Sequence, residues 1–174
     1  MDVRERRDDM KELKVQRLHE AVFAPYGTLL AQPREKNPDL EREDLTAWMN
    51  ICDIEGLDAK KASWAFLTVH RHKSPVTTLE RHLRTAEAFV PLEGQSVMVV
   101  APPSDVNNVD ARPDEAMIRA FYLDGSSGIF FPKGVWHWAP FAVSESASFL
   151  LLVNGDVGDD IDEKKVGPIA LRLY

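Results

Sequence analysis

The chain has 174 residues, 44% of them hydrophobic, with 28 acidic against 21 basic side chains and a formal charge of −7. That length and apolar content allow one domain with a full core and argue against a disordered chain. The negative charge argues against nucleic acid, whose phosphates want a basic face, and no apolar run is long enough to span a bilayer as a helix.

Residues 1–12 are nearly all charged and read as a flexible leader, partly helical at most, ahead of a single domain over residues 13–174. The leader carries no secretion-signal pattern. Short β-rich runs follow at residues 13–18, 28–30, 64–70, 96–100, 118–123, 149–153 and 169–173, punctuated by Gly, Pro and Asp. Helical periodicity is weak, with a turn expected at 18–23 and some helix in the charged stretch 38–46. Residues 34–43 and 102–115 read as loops, and the acidic stretch 156–163 as a solvated one, although its place just after a core strand also permits a role in capping the barrel mouth. The single cysteine, Cys52, rules out an internal disulfide and fits a reducing cytoplasm. Between Ile51 and Asp53 it reads as a packing residue rather than a nucleophile.

Chemistry concentrates in two places. In the first, Glu80 and His82 are two apart on a strand and therefore project to one face, with Arg81 on the other. Glu87 can join them if the chain bends into a neighbouring strand, and Gly94 supplies the next turn. In the second, Pro132-Lys133-Gly134 sets a tight turn that delivers His137 at the start of a strand. Glu80, His82, Glu87 and His137 together make a four-donor N/O set suited to one divalent Mn, Fe, Ni or Zn ion, among which the residue types do not choose. His70 and His72 are alternative ligands on the preceding strand, at a poorer spacing, and His19 reads as a surface residue.

The spacing His82-x4-Glu87-x6-Gly94 and the run Pro132-x-Gly134-x-x-His137 resemble the two cupin motifs, in the right order on a β-rich chain. The resemblance implies a mainly β fold, a cupin-type double-stranded β-helix or jelly-roll barrel with few short helices. More narrowly, Phe23-Ala24-Pro25-Tyr26-Gly27, Leu79-Glu80-Arg81-His82, Glu87-Ala88-Phe89-Val90-Pro91, Arg119-Ala120-Phe121 and Trp136-His137 are similar in order and spacing to the ureidoglycolate lyase family. The chain departs from that family's pattern at Glu87, where Gln is common, and at Pro132 and Trp138, where histidines are common.

The resemblance implies cleavage of ureidoglycolate to glyoxylate and urea, an elimination that needs a base, a proton donor and cations for the carboxylate. On the matching positions it gives His82, His137 and Glu80 the acid–base work. Arg71, Arg81 and Lys133 are the candidates for binding the carboxylate, and Trp136 for walling the pocket. Two other readings stay open. One is a metal-dependent cupin isomerase or dioxygenase acting on another small acid or sugar, which Glu87 favours. The other is a non-catalytic ligand-binding cupin. Phe130 and Phe131 are expected inside the barrel. The strand 149–153 is apolar on both faces, so its outer face needs a cover, and a second subunit in a homodimer is the expected one.

Overall fold

The computed structural model describes residues 10–155 and 157–173. In chain order, its elements are β1 (Lys11–Arg17), one helical turn α1 (Glu20–Phe23), β2 (Thr28–Leu30), β3 (Leu40–Glu41), β4 (Thr46–Ala47), β5 (Ala62–His70), β6 (Val76–His82), β7 (Glu87–Glu93), β8 (Ser96–Ala101), β9 (Arg119–Leu123), β10 (Gly128–Phe131), β11 (Trp136–His137), β12 (Phe141–Ala142), β13 (Ser146–Asn154) and β14 (Ile161–Arg172). Short 3-10 turns stand at Glu115–Met117 and Val157–Asp160. β1 takes up Lys11 and Glu12, the end of the expected leader, and residues 1–9 lie outside the described residues.

Two sheets form the barrel. A seven-stranded sheet runs β11-β6-β14-β1-β9-β8-β12, and β11 also pairs with β8, so the ladder returns to its start. A five-stranded sheet runs β2-β10-β7-β13-β5. Their facing side chains, among them Phe89, Met98, Val100, Phe121, Ile129, Phe131 and Phe149, build one core. This is the double-sheet cupin-type jelly roll that the motif spacing predicts.

β8 shows how the sequence makes this arrangement. Its residues are all buried, and they divide by parity: Met98 and Val100 enter the core between the sheets, while Val97, Val99 and Ala101 enter a second core. A strand covered on both faces has no polar alternation to show. The second core gathers Val15, Leu79, Ala120, Trp136 and Ile169 from strands all round the closed seven-stranded ladder. Period-two alternation therefore sends Glu80 and His82 one way and Leu79 and Arg81 the other.

Three expectations are corrected. The stretch 38–46 forms the β3–β4 hairpin, with Asp39 N–H donating to Ala47 O and Arg42 N–H to Leu45 O. Its only apolar residues, Leu40 and Leu45, give a helix no stripe to bury. Phe130 points outward into a small cluster with Ala86 and Ala88, while Ile129 and Phe131 point inward, as strand alternation requires. The described part of the acidic stretch, residues 157–163, is not a plain solvated loop, because Asp160 is buried and β14 begins at Ile161.

The outer face of the five-stranded sheet is apolar and open. Trp64 and Phe66 of β5 are exposed and lie opposite Leu152 and Leu150 of β13, and Leu92 of β7 is exposed too. Leu30, Cys52 and Leu57 cover only the part of this face around Ala88 and Phe130.

Candidate active site

Three strands and two turns bring the site together. His137 lies opposite Glu80 in the β11–β6 pairing, and opposite Val100 of β8 on its other side. The turn before β11 is tied to β6 by Gly134 N–H donating to His82 O at 2.7 Å. Gly134 has φ of +86°, and a Cβ there would stand 2.9 Å from Val106 Cγ1 and 3.0 Å from Ser104 O, so only glycine fits. Glu87 arrives from the other sheet, opposite Phe131 in the β7–β10 pairing. The site therefore spans both sheets at one end of the core.

Within it, Glu87 Oε2 lies 3.2 Å from His137 Nε2 and 3.4 Å from His82 Nε2. Glu80 Oε1 is 4.0 Å from His137 Nε2. The two imidazoles are 5.5 Å apart, and His137 stacks on Phe131 at 4.9 Å with Phe89 edge-on at 6.1 Å. His82, Glu87 and His137 are buried, and Glu80 is the member with partial access to solvent.

The electrostatics follow from these contacts. Burial alone would raise the Glu87 carboxyl, but hydrogen bonds and charge from His137 and His82 outweigh it and hold the pKa at about 2. Burial would depress His137, but the Glu87 hydrogen bond and charge, then Glu80, raise it. Both His137 nitrogens face acceptors, Val135 O at 3.1 Å from Nδ1 and Glu87 at Nε2, which favours the imidazolium. Glu80 is raised by burial, with the charge of Glu87 acting in the same direction and the two imidazoles opposing it.

Three of the four expected metal donors meet as a group: atoms of Glu80, His82 and His137 all lie within 4.8 Å of one another. Glu87 falls outside that group and instead bridges the two imidazoles.

The expected substrate cations are placed differently. Arg81 is fully buried on the opposite face of β6, and its donors are spent on Asp162, the Ser104 hydroxyl and the Asp105 and Asn108 carbonyls. Its guanidinium sits 4.6 Å over the ring of Trp136. Trp136 is itself fully buried in the second core, with Nε1–H donating to Ser104 Oγ, so it walls no pocket. Both residues face away from the imidazoles because they share strand parity with Leu79, not with His82 and His137.

Arg71 lines a separate cavity of about 710 Å³ with His72, Lys73, Val97, Phe141 and Leu171, none of them a member of the cluster. His72 packs on Phe141 there, and His70 is an exposed residue of β5, so neither joins the cluster. Lys133 is exposed on the turn that carries His137. Cys52 is partly buried, and burial raises its thiol, in keeping with a packing role. The residue that sequence reasoning missed is Asp160, whose Oδ2 lies 3.7 Å from His82 Nδ1. Its place in an acidic run hid it.

The ureidoglycolate lyase family profile matches residues 10–171. The chain is 30% identical to the ureidoglycolate lyase of Burkholderia mallei over 164 residues, covering 90% of this chain and 91% of that protein. It is 27% identical to that of Azotobacter vinelandii, covering 91% and 94%, and 26% identical to that of Pseudomonas syringae pv. tomato, covering 88% and 89%. Among solved structures, a dTDP-4-dehydrorhamnose 3,5-epimerase from Elizabethkingia anophelis overlays with a TM-score of 0.46 at 15% identity, over 81% of this chain and 80% of that one. With the match running through both strands and turns that assemble the cluster, the chain belongs to the ureidoglycolate lyase family.

Proposed function

We propose that this protein is a carbon–nitrogen lyase that cleaves ureidoglycolate to glyoxylate and urea. The observation that carries the reading is the meeting of two imidazoles and two carboxylates at the end of a barrel core, in a chain of this family. The reaction removes the hydroxyl proton, forms the carbonyl, breaks the bond from carbon to the ureido nitrogen and protonates that nitrogen. It needs one base and one acid, and no net proton. Pairs of titratable groups held in different environments divide such work. His137, kept as imidazolium by Glu87, is the donor to the leaving nitrogen. His82 takes the hydroxyl proton. Glu87, in reach of both Nε2 atoms, passes the proton back and resets the pair. Glu80, with access to solvent, holds the substrate hydroxyl against the base.

Of the cations expected at the substrate carboxylate, Lys133 on the His137 turn is the one we retain, and Lys133→Ala should raise KM more than it lowers kcat. The deciding experiment is turnover of racemic ureidoglycolate, with and without Mn, Ni or Zn, following glyoxylate, urea and ammonia. Glyoxylate with urea supports the reading, ammonia points to a hydrolase, and no product under any metal refutes both.

A second reading is favoured by the Glu80–His82–His137 group, whose N/O donors fit one divalent Mn, Fe, Ni or Zn ion. When bound, the ion would polarise the substrate's oxygens as a Lewis acid. It would compete with the proton that His137 shares with Glu87, so loading should release protons. Metal content of the purified protein and turnover after chelation test it.

The open outer face at Trp64, Phe66 and Leu92 supports a homodimer, and the free thiol of Cys52 supports a cytoplasmic setting. No described helix is long and apolar enough to cross a membrane.

A further inference from the structure

The cavity of about 710 Å³ beside Arg71 takes no part in the chemistry above. It lies where the chain enters β6 at Pro75, whereas Glu80 and His82 stand at that strand's other end. At about 3.3 Å per residue, the strand from Pro75 to His82 puts roughly 20 Å between the two places. The floor of the cavity is apolar. Val97 and Phe141 are buried members of the second core, and Leu171 packs against that core. The cavity therefore opens onto the end of the second core, away from the imidazoles.

Its rim is cationic. Arg71, His72, Lys73 and Ser74 line it in succession, and no described acidic side chain does. Among the described residues, neither the Arg71 nor the Lys73 side chain has an ion pair or a hydrogen bond, in a chain whose formal charge is −7. Neighbouring cations without a counter-charge repel each other, so folding alone gives no reason to gather them here. The rim is also held in place. Arg71 N–H donates to Glu145 O at 2.9 Å, Ser74 N–H donates to His72 Nδ1 at 3.3 Å, and the His72 ring lies 5.2 Å from that of Phe141. With Nδ1 accepting, the neutral imidazole carries its proton on Nε2 and adds a donor to the rim.

We propose that this cavity is a second ligand site, which binds an organic carboxylate with an aryl-sized apolar body. The Arg71 guanidinium and the Lys73 ammonium take the carboxylate, and the body lies against Val97, Phe141 and Leu171. Apolar walls with a few converging polar groups, in a volume of roughly 300–1,000 Å³, are what small-molecule sites offer. The site binds without making or breaking a bond, and it stands whether or not the cluster is a lyase centre.

The test is a titration of the full, nitrogen-15-labelled chain with 3-phenylpropanoate, followed by amide shifts. Binding should saturate, with the shifts centred on residues 71–74, 97 and 141–143. The neutral 3-phenylpropanamide, which lacks the charge, should bind about tenfold or more weakly, and acetate, which lacks the body, should not saturate at the same concentrations. Arg71→Gln with Lys73→Gln should weaken 3-phenylpropanoate by about tenfold or more, and both side chains are exposed, so the variant should fold. No saturable binding, equal affinity for the amide, or unchanged affinity in the double variant overturns the proposal. So do shifts centred on Glu80, Glu87 and His137, or on the open face at Trp64 and Phe66, because either would put the ligand elsewhere. Glyoxylate release is not part of the readout, so failure of the lyase reading leaves this result standing and the reverse holds too.

Discussion

At the scale of single residues, the ion pair between Glu87 and His137 organises the site. Glu87 has its folded pKa depressed from 4.5 to about 2, so its contribution to stability is present above its unfolded value and is lost as pH falls towards 2. His137 has its pKa raised above 6.5, so its contribution is present below that value and is lost as pH rises through the folded pKa. The pair is therefore at full strength between about pH 4.5 and 6.5. Glu87→Gln should flatten this dependence on both sides, as read by urea unfolding at a series of pH values, and an unaltered profile would contradict the assignment. His137→Ala should lower kcat about a hundredfold or more if the imidazolium is the acid. Steady-state glyoxylate release measures this.

At the scale of elements, the site is positioned by what lies behind its strands. Arg81 joins β6 to the 104–108 loop and to Asp162 of β14 and stacks on Trp136 of β11. Removing one partner of a buried network leaves the others unsatisfied, so Arg81→Met should cost about 3 kcal/mol or more in unfolding free energy. A loss under about 1 kcal/mol would mean the network is slack. The Gly134 turn fixes the entry of β11. Gly134→Ala should destabilise by about 1–3 kcal/mol, since it combines a strained φ with a close approach to Val106 and Ser104, and should lower activity by moving His137.

At the scale of the whole molecule, the closed ladder buries its own core, while among the described residues the five-stranded sheet leaves a broad apolar face uncovered at β5, β7 and β13. Light scattering on a sizing column should report a homodimer. Trp64→Lys with Phe66→Lys should convert it to a monomer without changing the fold. A wild-type monomer would assign that face to something other than a second copy.

The sequence by itself determined the β class, the order of most strands and the four residues of the cluster. Those features are local or spaced: alternation two apart put Glu80 with His82, and Pro132 and Gly134 marked the turn before His137. Tertiary structure decided what alternation alone leaves open, namely what lies on each face. Arg81 and Trp136 sit beside the cluster in sequence but pack into the second core, because the ladder closes round their face and buries it. Glu87 bridges the imidazoles because it comes from the opposite sheet. Asp160 reaches His82 because β14 returns to pair with β6 across 78 residues, the separation of His82 and Asp160 in the chain. No local pattern encodes a contact at that distance, so an aspartate in an acidic run reads as solvated until the fold buries it.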